Sequence, residues 1–212
     1  MSRDPVRTRE RLLRAAFHEM HRSGFRGADM DAILMAAQVT KGALYHHFDN
    51  KEALGYAVVD EVIASNTREK WLTPLRKAEN PIDVLIGIVR ATSFRPEDLE
   101  CGCPLLNLSQ EMSPLNEGFR RRTAKIFKDW QDAIAAALTR GQKVGLVRGD
   151  LNADETATFF IAAHEGFISL GKNSRDVRVL HAGQKSVIRL LESLRARSGR
   201  SKRSKLAFPT MA

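Results

Sequence analysis

The chain has 212 residues, 43% of them hydrophobic and 28% charged, which is ordinary for a globular protein with one large domain or two small ones and excludes a wholly disordered chain. The net charge of +9 is concentrated at the end of the sequence, because residues 195–212 hold six basic residues and no acidic one, which leaves +3 for the rest. The charge therefore gives only weak support for nucleic-acid binding by the folded part.

Three helices are predicted in the first fifty residues. The first begins at Asp4-Pro5, since aspartate caps a helix and proline fits its first turn, and it ends at Ser23-Gly24-Phe25, where glycine suits a left-handed end. The second spans Asp31 to Ala37. After a short turn, the third runs from Lys41 to about His47, and Thr40 is its N-cap.

Helix signals recur along the rest of the chain, and no stretch shows the sustained two-residue alternation of a strand. The sequence therefore predicts an all-α protein of about nine helices with a loop-rich joint near residues 95–104. The later predicted helices begin at Asn50, run from Asn80-Pro81 to about Phe94, from Leu115 to about Arg140 with Gly141 as the stop, from Asn152 to about Leu170, and from Ser174 to about Arg195.

The third helix has chemistry suited to DNA on the face opposite its apolar residues, Leu44 and Phe48. Two short helices joined by a tight turn predict a helix-turn-helix, whose second helix lies in the major groove. Its outward face offers a hydroxyl, an ammonium, a glycine that permits close approach, a phenol and an imidazole. The alternative is a generic three-helix subdomain whose polar face is only solvated.

Two motifs in this region are typical of one family. The run Thr-Lys-Gly-x-Leu-Tyr-x-His-Phe at residues 40–48 is followed by Lys-Glu-x-Leu at residues 51–54. Residues 7–56 thereby resemble the DNA-binding domain of the TetR family of transcriptional regulators. The resemblance implies a homodimer that binds a palindromic double-stranded DNA operator and releases it when a small-molecule effector binds. At matching positions it implies DNA contacts from Thr40, Lys41, Gly42, Tyr45, His46, His47 and Lys51.

Two positions depart from the family's pattern. Gln38 stands where the turn often has glycine, so a left-handed backbone there would be strained. Ala28 stands where Thr or Ser is common before the second helix, and we expect Asp29 to cap that helix instead.

The resemblance divides the chain into three parts. Residues 1–50 form the helix-turn-helix DNA-binding domain, and residues 51–196 form a helical ligand-binding and dimerisation domain. Residues 197–212 form a basic tail that we expect to be disordered, either simply solvated or tethering the protein to DNA without sequence preference.

The cysteines, Cys101 and Cys103, lie in the stretch 99–111, which is similar to a C-terminal domain of some TetR-type regulators that respond to electrophiles or reactive carbonyl compounds. One interpretation is a thiol sensor, which needs exposure and a lowered thiol pKa, such as the helix starting at Pro104 would favour. Another is two small residues packed at a helix start. A metal site is disfavoured because two sulfurs do not complete one.

Apolar residues of the C-terminal part supply candidate ligand contacts. These are Trp130, Phe160, His164 and Phe167. The alternatives are that His164 packs at a core or dimer face and that the phenylalanines are ordinary core residues.

The last two predicted helices carry apolar faces that the resemblance assigns to a four-helix dimer interface. Such an interface would set the two recognition helices about 34–36 Å apart, near one turn of DNA. The predicted contacts are Phe159, Ala163, Phe167, Leu170, Val187, Leu190, Leu191 and Leu194.

A helical enzyme is the remaining alternative class. The sequence has no nucleophile-base pairing, no phosphate-binding glycine loop and no metal-ligand spacing that would support it. We therefore predict no catalytic residues, no cofactor and no metal. The charged start of the sequence and the absence of a long apolar run, together with the small number of cysteines, predict a cytoplasmic protein without a membrane partner.

Overall fold

Helices are the regular elements of the residues that the computed structural model describes, which are 4–92, 94 and 96–196. The all-α prediction is confirmed. None of these helices is long and apolar enough to cross a lipid bilayer. The bounds are α1 (Pro5–Gly27), α2 (Met30–Ala37), α3 (Lys41–His47), α4 (residues 51–76), α5 (Pro81–Ala91), α6 (Pro96–Cys101), α7 (Pro104–Met112), α8 (Glu117–Lys143), α9 (Ala153–Ser174) and α10 (Val177–Ser193).

Local capping chemistry fixes the first helices as predicted. The Asp4 carboxylate accepts hydrogen bonds from the amides of Val6 and Arg7, and the Asp29 carboxylate accepts one from the amide of Asp31 at 2.9 Å. Gly24 has a φ of +75°, so α1 is broken there. The last turn of α1 therefore needs hydrogen-bond partners from outside the helix.

The turn between α2 and α3 contains a strained residue. Gln38 has φ 54° and ψ 48°, the left-handed conformation that is unfavourable for a residue with a Cβ. Its side chain is exposed. The predicted strain at this position is therefore confirmed.

We predict that Gln38→Gly raises the free energy of unfolding by about 1 kcal/mol, since glycine adopts the left-handed conformation without steric cost. For a chain of this size, the melting temperature should rise by roughly 2–4 °C in a thermal unfolding experiment. Gln38→Ala retains the Cβ and should give no such gain. An unchanged or lower melting temperature for Gln38→Gly would contradict the assignment of strain.

Helix α4 connects the two halves of the molecule. Its α-helical segments Lys51–Ala57, Ala64–Thr67 and Thr73–Arg76 are joined by π-helical segments Val58–Ile63 and Arg68–Leu72. The junction residues retain right-handed helical dihedrals, so the helix is continuous. One helix thereby contributes to two separate cores.

The first core lies among α1–α3, the first half of α4, α7 and the start of α8, and the second lies among the end of α4, α5, α8, α9 and α10. The first core extends past residue 50, since it includes Val58, Leu108 and Phe119. The division into domains at residues 50 and 196 stays a prediction, and the predicted basic tail lies outside the described residues.

Two predicted helix ends were wrong because the glycines taken as helix stops instead allow close packing within the helix. Helix α8 begins at Glu117, with Asn116 as its cap, and continues through Gly141 to Lys143. A Cβ at Gly141 would lie 2.5 Å from Val147, so the glycine permits a close approach and does not end the helix. Helix α9 likewise continues past Gly171, where a Cβ would lie 2.2 Å from Leu180.

Three other bounds also differ from prediction. Helix α9 ends at Ser174, with the left-handed Arg175 as its C-cap, and Asp176 caps α10 in place of Ser174. Helix α5 ends at Ala91 and not near Phe94. The predicted loop-rich joint near 95–104 contains the short helix α6, since a proline again fits the first position of a helix.

Candidate nucleic-acid interface and internal cavity

Helix α3 presents a polar surface because its apolar side is anchored in the first core. Leu44 is 1% exposed and Phe48 is 5% exposed, whereas Tyr45 is 49% exposed. Thr40 caps the helix, its hydroxyl accepting a hydrogen bond from the amide of Ala43 at 3.2 Å. The predicted contact residues Thr40, Lys41, Gly42, Tyr45 and His46 are all exposed on this surface.

The two histidines at the end of α3 differ in their surroundings. His46 is exposed and His47 is half-buried, with the ring centroids 5.3 Å apart. Burial lowers the pKa of His47, and the neighbouring charges of His46 and Arg9 lower it further. In the DNA-free protein, the lowered pKa favours the neutral imidazole of His47, which can donate and accept hydrogen bonds.

Lys51 lies behind this surface and is engaged by the backbone. Its ammonium donates to the carbonyl oxygens of Ala28 at 2.6 Å and Arg26 at 3.1 Å, and it lies 5.4 Å from the centroid of the Phe25 ring. The side chain thus ties the start of α4 to the segment between α1 and α2. Two of its three N–H donors are used in this way.

An ion pair braces α1 against α4 beside the recognition helix. The Arg9 guanidinium donates to both carboxylate oxygens of Glu61, and it also lies 5.1 Å from the centroid of the Phe48 ring. The hydrogen bond from Arg9 lowers the pKa of Glu61. Phe48, at the end of α3, therefore packs against the first core and against the guanidinium of Arg9.

A cavity of about 1420 Å³ that opens to solvent is lined by α1, α2, the second half of α4 and the C-terminal helices. Four of the six predicted ligand or sensor residues line it, namely Cys101, Cys103, Trp130 and His164. Phe160 and Phe167 do not line it, because they lie in the second core with their ring centroids 6.0 and 5.1 Å from that of His164.

Three further residues that line the cavity were not predicted from the sequence, namely Lys70, Trp71 and Glu165. Glu165 could have been predicted as a site residue, since it is the one acidic residue in the otherwise apolar or uncharged stretch from residue 156 to residue 170. Lys70 and Trp71 had none, because their place depends on how α4 packs against α8 and α9.

Aromatic rings enclose His164 at the inner end of the cavity. Its ring centroid lies 5.1 Å from that of Trp71 and 6.1 Å from that of Trp130, both nearly perpendicular to it. Burial lowers the pKa of His164 to about 3, with a smaller effect from the charge of Lys70. The imidazole is therefore neutral, and its Nδ1 has no hydrogen-bond partner among the described residues.

The half-buried Cys103 and the buried Glu165 form a pair that lines the same cavity. The thiol is hydrogen-bonded to the Glu165 carboxyl group. Burial and then the charge of Glu165 raise the pKa of Cys103, and they outweigh the amides of Leu105 and Leu106 at the start of α7, which lower it. Burial likewise raises the pKa of Glu165. Cys103 therefore lacks the lowered thiol pKa that the sensor interpretation requires.

Cys101 is likewise half-buried and not in a disulfide, but its charged neighbour is a cation: the positive charge of Arg22 is near enough to interact with it electrostatically. The next residue, Gly102, has a φ of +68°, and its carbonyl accepts a hydrogen bond from His21 Nε2 at 2.9 Å. The cavity lining is thereby bonded directly to α1.

A second bond joins the C-terminal helices to the break in α1. The Glu111 carboxylate of α7 accepts hydrogen bonds from the amides of Phe25 at 2.7 Å and Arg26 at 2.8 Å. Gly24 adopts a positive φ that favours glycine, and a Cβ there would lie 2.9 Å from this carboxylate and would displace it. Helix α7 thus supplies the hydrogen-bond acceptors that the last turn of α1 lacks.

The predicted dimer face needs correction. Phe167, Val187, Leu191 and Leu194 are buried in the second core of the same chain, so they cannot form an outward face. Phe159 and Leu170 are 60% and 63% exposed. With the exposed Ala162 and Gly166, they form one face of α9, here called the α9 stripe: Phe159, Ala162, Gly166 and Leu170.

Within the described residues, no group of three or more His, Cys, Asp or Glu side chains is arranged to hold a metal ion. The structure instead has an exposed helix suited to DNA and a cavity, and hydrogen bonds join the lining of this cavity to α1 of the DNA-binding half. This combination defines a helix-turn-helix regulator with a second helical domain.

Comparisons with known proteins agree with that class. Residues 12–58 match the model described as bacterial regulatory proteins of the tetR family, and residues 82–187 match a tetracyclin repressor-like C-terminal domain. The chain belongs to the TetR family of DNA-binding transcriptional regulators. Members of this family are regulators and not enzymes, which excludes the helical-enzyme alternative.

Individual relatives cover most of the chain. It is 31% identical to the HTH-type transcriptional repressor DhaR of Mycobacterium sp. strain GP1, over 83% of this chain and 87% of that protein. A TetR regulator from Chloroflexus aurantiacus is 27% identical with a TM-score of 0.80, covering 91% and 98% of the two chains. The reduced form of Escherichia coli NemR is 25% identical with a TM-score of 0.76, covering 89% and 97%.

Proposed function

We propose that the protein is a cytoplasmic repressor that binds a palindromic operator as a homodimer and is released by a small-molecule effector. The observation that carries this proposal is the position of the cavity, which is lined by α1 of the DNA-binding half and by helices of the C-terminal half. A molecule bound there contacts both halves at once. The relative DhaR is a repressor by its name, which supports the direction of control.

We assign the DNA contacts to the exposed surface of α3. Thr40, Lys41 and Gly42 lie at its N-terminal end, where amides and an ammonium suit a phosphate, and Tyr45 and His46 follow one turn later. His47 contributes as a neutral group. Lys51 serves mainly to position the segment before α2, because two of its donors are engaged by backbone carbonyls.

We place the dimer interface on the α9 stripe. A monomer gains nothing from exposing Phe159 and Leu170 on one helix face, and Ala162 and Gly166 between them allow a second helix to approach closely. Around a twofold axis, the same stripe meets itself.

The effector signal is assigned to two hydrogen-bonded links. Residues 101–105 line the cavity and precede or begin α7, and α7 is bonded to the break in α1 through Glu111. The His21 bond to Gly102 is a second link between the same parts. A ligand that shifts α7 therefore changes the position of α1, and with it the spacing of the two recognition helices.

The direct test is gel retardation of the DNA upstream of the protein's own coding region. The purified protein should retard this fragment in the presence of excess nonspecific DNA, and a footprint should cover a palindrome. A protein that binds every fragment equally, with no protected palindrome, would contradict the proposal.

A second candidate, a thiol sensor on the same scaffold, is favoured by the half-buried Cys101 beside Arg22 and Gly102. An adduct on Cys101 would press on the link from Gly102 to His21. A thiol reacts with electrophiles as the thiolate. The raised pKa of Cys103 keeps that thiol protonated and so slows its reaction with electrophiles.

We predict that an electrophile such as N-ethylmaleimide labels Cys101 before Cys103 in intact-mass analysis. In gel-shift titrations, Cys101→Ser should then resist release of DNA, whereas Cys103→Ser should respond as the wild type does. Release at the same dose in all three proteins, or in none, would assign both cysteines a packing role.

A further inference from the structure

The buried polar atoms that lack partners belong to residues that line one cavity. In the described part of the chain, the buried side-chain nitrogen and oxygen atoms with no hydrogen-bond partner belong to Arg11, Trp130, His164 and Glu165, and all of these residues line the same cavity. Buried polar groups in proteins are nearly always hydrogen-bonded. Their concentration here points to a ligand that supplies the missing partners.

The missing partners are mainly acceptors. The guanidinium of Arg11 and the indole of Trp130 can only donate hydrogen bonds, and the neutral imidazole of His164 can donate through one nitrogen. Trp130 and His164 are each only 2% exposed, so bulk water does not serve them. A ligand that satisfies this set presents oxygen acceptors to it.

The charges around the site favour a negative ligand. The ammonium of Lys70, which lines the cavity, acts electrostatically on both His164 and Glu165. Glu165 is the acidic group at this inner end, and burial raises its pKa, which favours a protonated carboxyl that can donate. Cys103, its other neighbour, stays an uncharged thiol.

The walls favour a flat apolar body. The ring centroids of Trp71 and Trp130 are 4.8 Å apart, and His164 stands nearly perpendicular to both. Ile168 and Leu180 complete the apolar part of the lining. Aromatic faces at these angles accept a planar group by stacking or edge contact.

We propose that the cavity binds a small organic carboxylate with a flat, apolar body, whose carboxylate oxygens accept hydrogen bonds from Trp130 and its neighbours at the inner end of the cavity. The inference rests on the proposed function in one respect, namely that this carboxylate is the effector that releases DNA. Binding itself is measured without DNA.

The test uses three probes of the same shape and different charge: benzoate, benzamide and benzamidinium. Trp71 and Trp130 are the only tryptophans of the chain and both line the cavity, so the intrinsic tryptophan fluorescence of the unmodified protein reports on it directly. Benzoate should bind about tenfold more tightly than benzamide, because its hydrogen bonds are charge-assisted, and benzamidinium should bind least. Calorimetry gives the same constants independently of the fluorophores.

Each other order of affinity overturns the proposal. Tighter binding of benzamidinium would show that Glu165 is an anionic partner for a cation. Equal binding of benzoate and benzamide would show that no charge is recognised. Absence of binding by all three at millimolar concentration would show that the unpartnered atoms do not form a carboxylate site.

Variants identify the atoms responsible. Trp130→Phe removes the indole N–H while keeping a ring, and it should weaken benzoate binding about tenfold. Trp71→Phe is the matched control, since its N–H is not among the unpartnered atoms, and it should change the affinity by less than about twofold. Equal losses in the two variants would assign the effect to ring packing alone.

A second pair of variants covers the case in which Trp130→Phe does not fold. Glu165→Gln should keep benzoate affinity, because its amide N–H can donate in place of a protonated carboxyl, and Lys70→Gln should decrease it, because it removes a positive charge. Lys125→Gln, on the exposed face of α8, is the control for loss of a positive charge. A loss of benzoate binding in Glu165→Gln, with Lys70→Gln unaffected, would overturn the proposal.

Operator binding separates this inference from the proposed function. If benzoate binds the cavity but never releases retarded DNA, the site stands and its role as effector site fails. If the protein retards its operator normally but binds no carboxylate, the repressor proposal stands and the ligand class is wrong.

Discussion

Phe159→Asp is expected to convert the dimer into a monomer and to abolish operator binding in the same step. Phe159 is 60% exposed on the α9 stripe, and a twofold interface places the new carboxylate in apolar surroundings twice, which costs several kcal/mol for each charge. A monomer binds only one half of a palindrome. Sedimentation at micromolar concentration and gel retardation of the operator measure the two effects.

Val144→Asp is the matched control, because Val144 is 67% exposed and lies outside the α9 stripe. This variant should remain a dimer and bind the operator normally. Phe167→Asp is unsuitable as a test, since Phe167 is 7% exposed in the core of its own chain and the change should unfold the protein. A monomeric wild type that still binds the palindrome tightly would refute this interface.

Lys41→Ala and Tyr45→Ala should each weaken operator binding about tenfold or more while leaving helix content and dimer mass unchanged. Both side chains are exposed on α3, opposite the buried Leu44, so their removal does not disturb the core. For Lys41→Ala, loss of a phosphate contact should also flatten the slope of log K against log salt by about one for each subunit. Tyr45→Ala should leave that slope unchanged.

Lys128→Ala removes a cation from the exposed surface of α8 and serves as the control for net charge. Its affinity and salt slope should match those of the wild type. Operator affinity at the wild-type level in both Lys41→Ala and Tyr45→Ala would overturn the assignment of the DNA-contact surface.

The parts of this fold that follow from local chemistry were predictable from the sequence. Asp29 caps α2 because its carboxylate reaches an amide two residues on, and Gln38 is left-handed because the turn requires it. The polar face of α3 followed from the spacing of Leu44 and Phe48 in the same way. Each of these features depends on residues within a few positions of one another.

The parts that depend on distant contacts were not predictable. Gly141 reads as a helix stop until Val147 is seen to pack against it, and Phe167 reads as an outward residue until α10 is seen to cover it. The residues that line the cavity come from eight helices, namely α1, α2, α4 and α6–α10, and from the segments between them. A single sequence gives no signal that brings Lys70, Trp130 and Glu165 together.

The carboxylate that closes the break in α1 bears on how domains of this family are exchanged in evolution. Glu111 serves two amides that belong to another part of the chain, and Gly24 leaves the space in which it does so. A change of Glu111 leaves the two amides without these acceptors, and a Cβ at Gly24 displaces the carboxylate, so each position depends on the other. In a chimera that joins this N-terminal domain to a relative's C-terminal domain, these two amides keep their acceptors only where the donor also carries an acid at the position of Glu111.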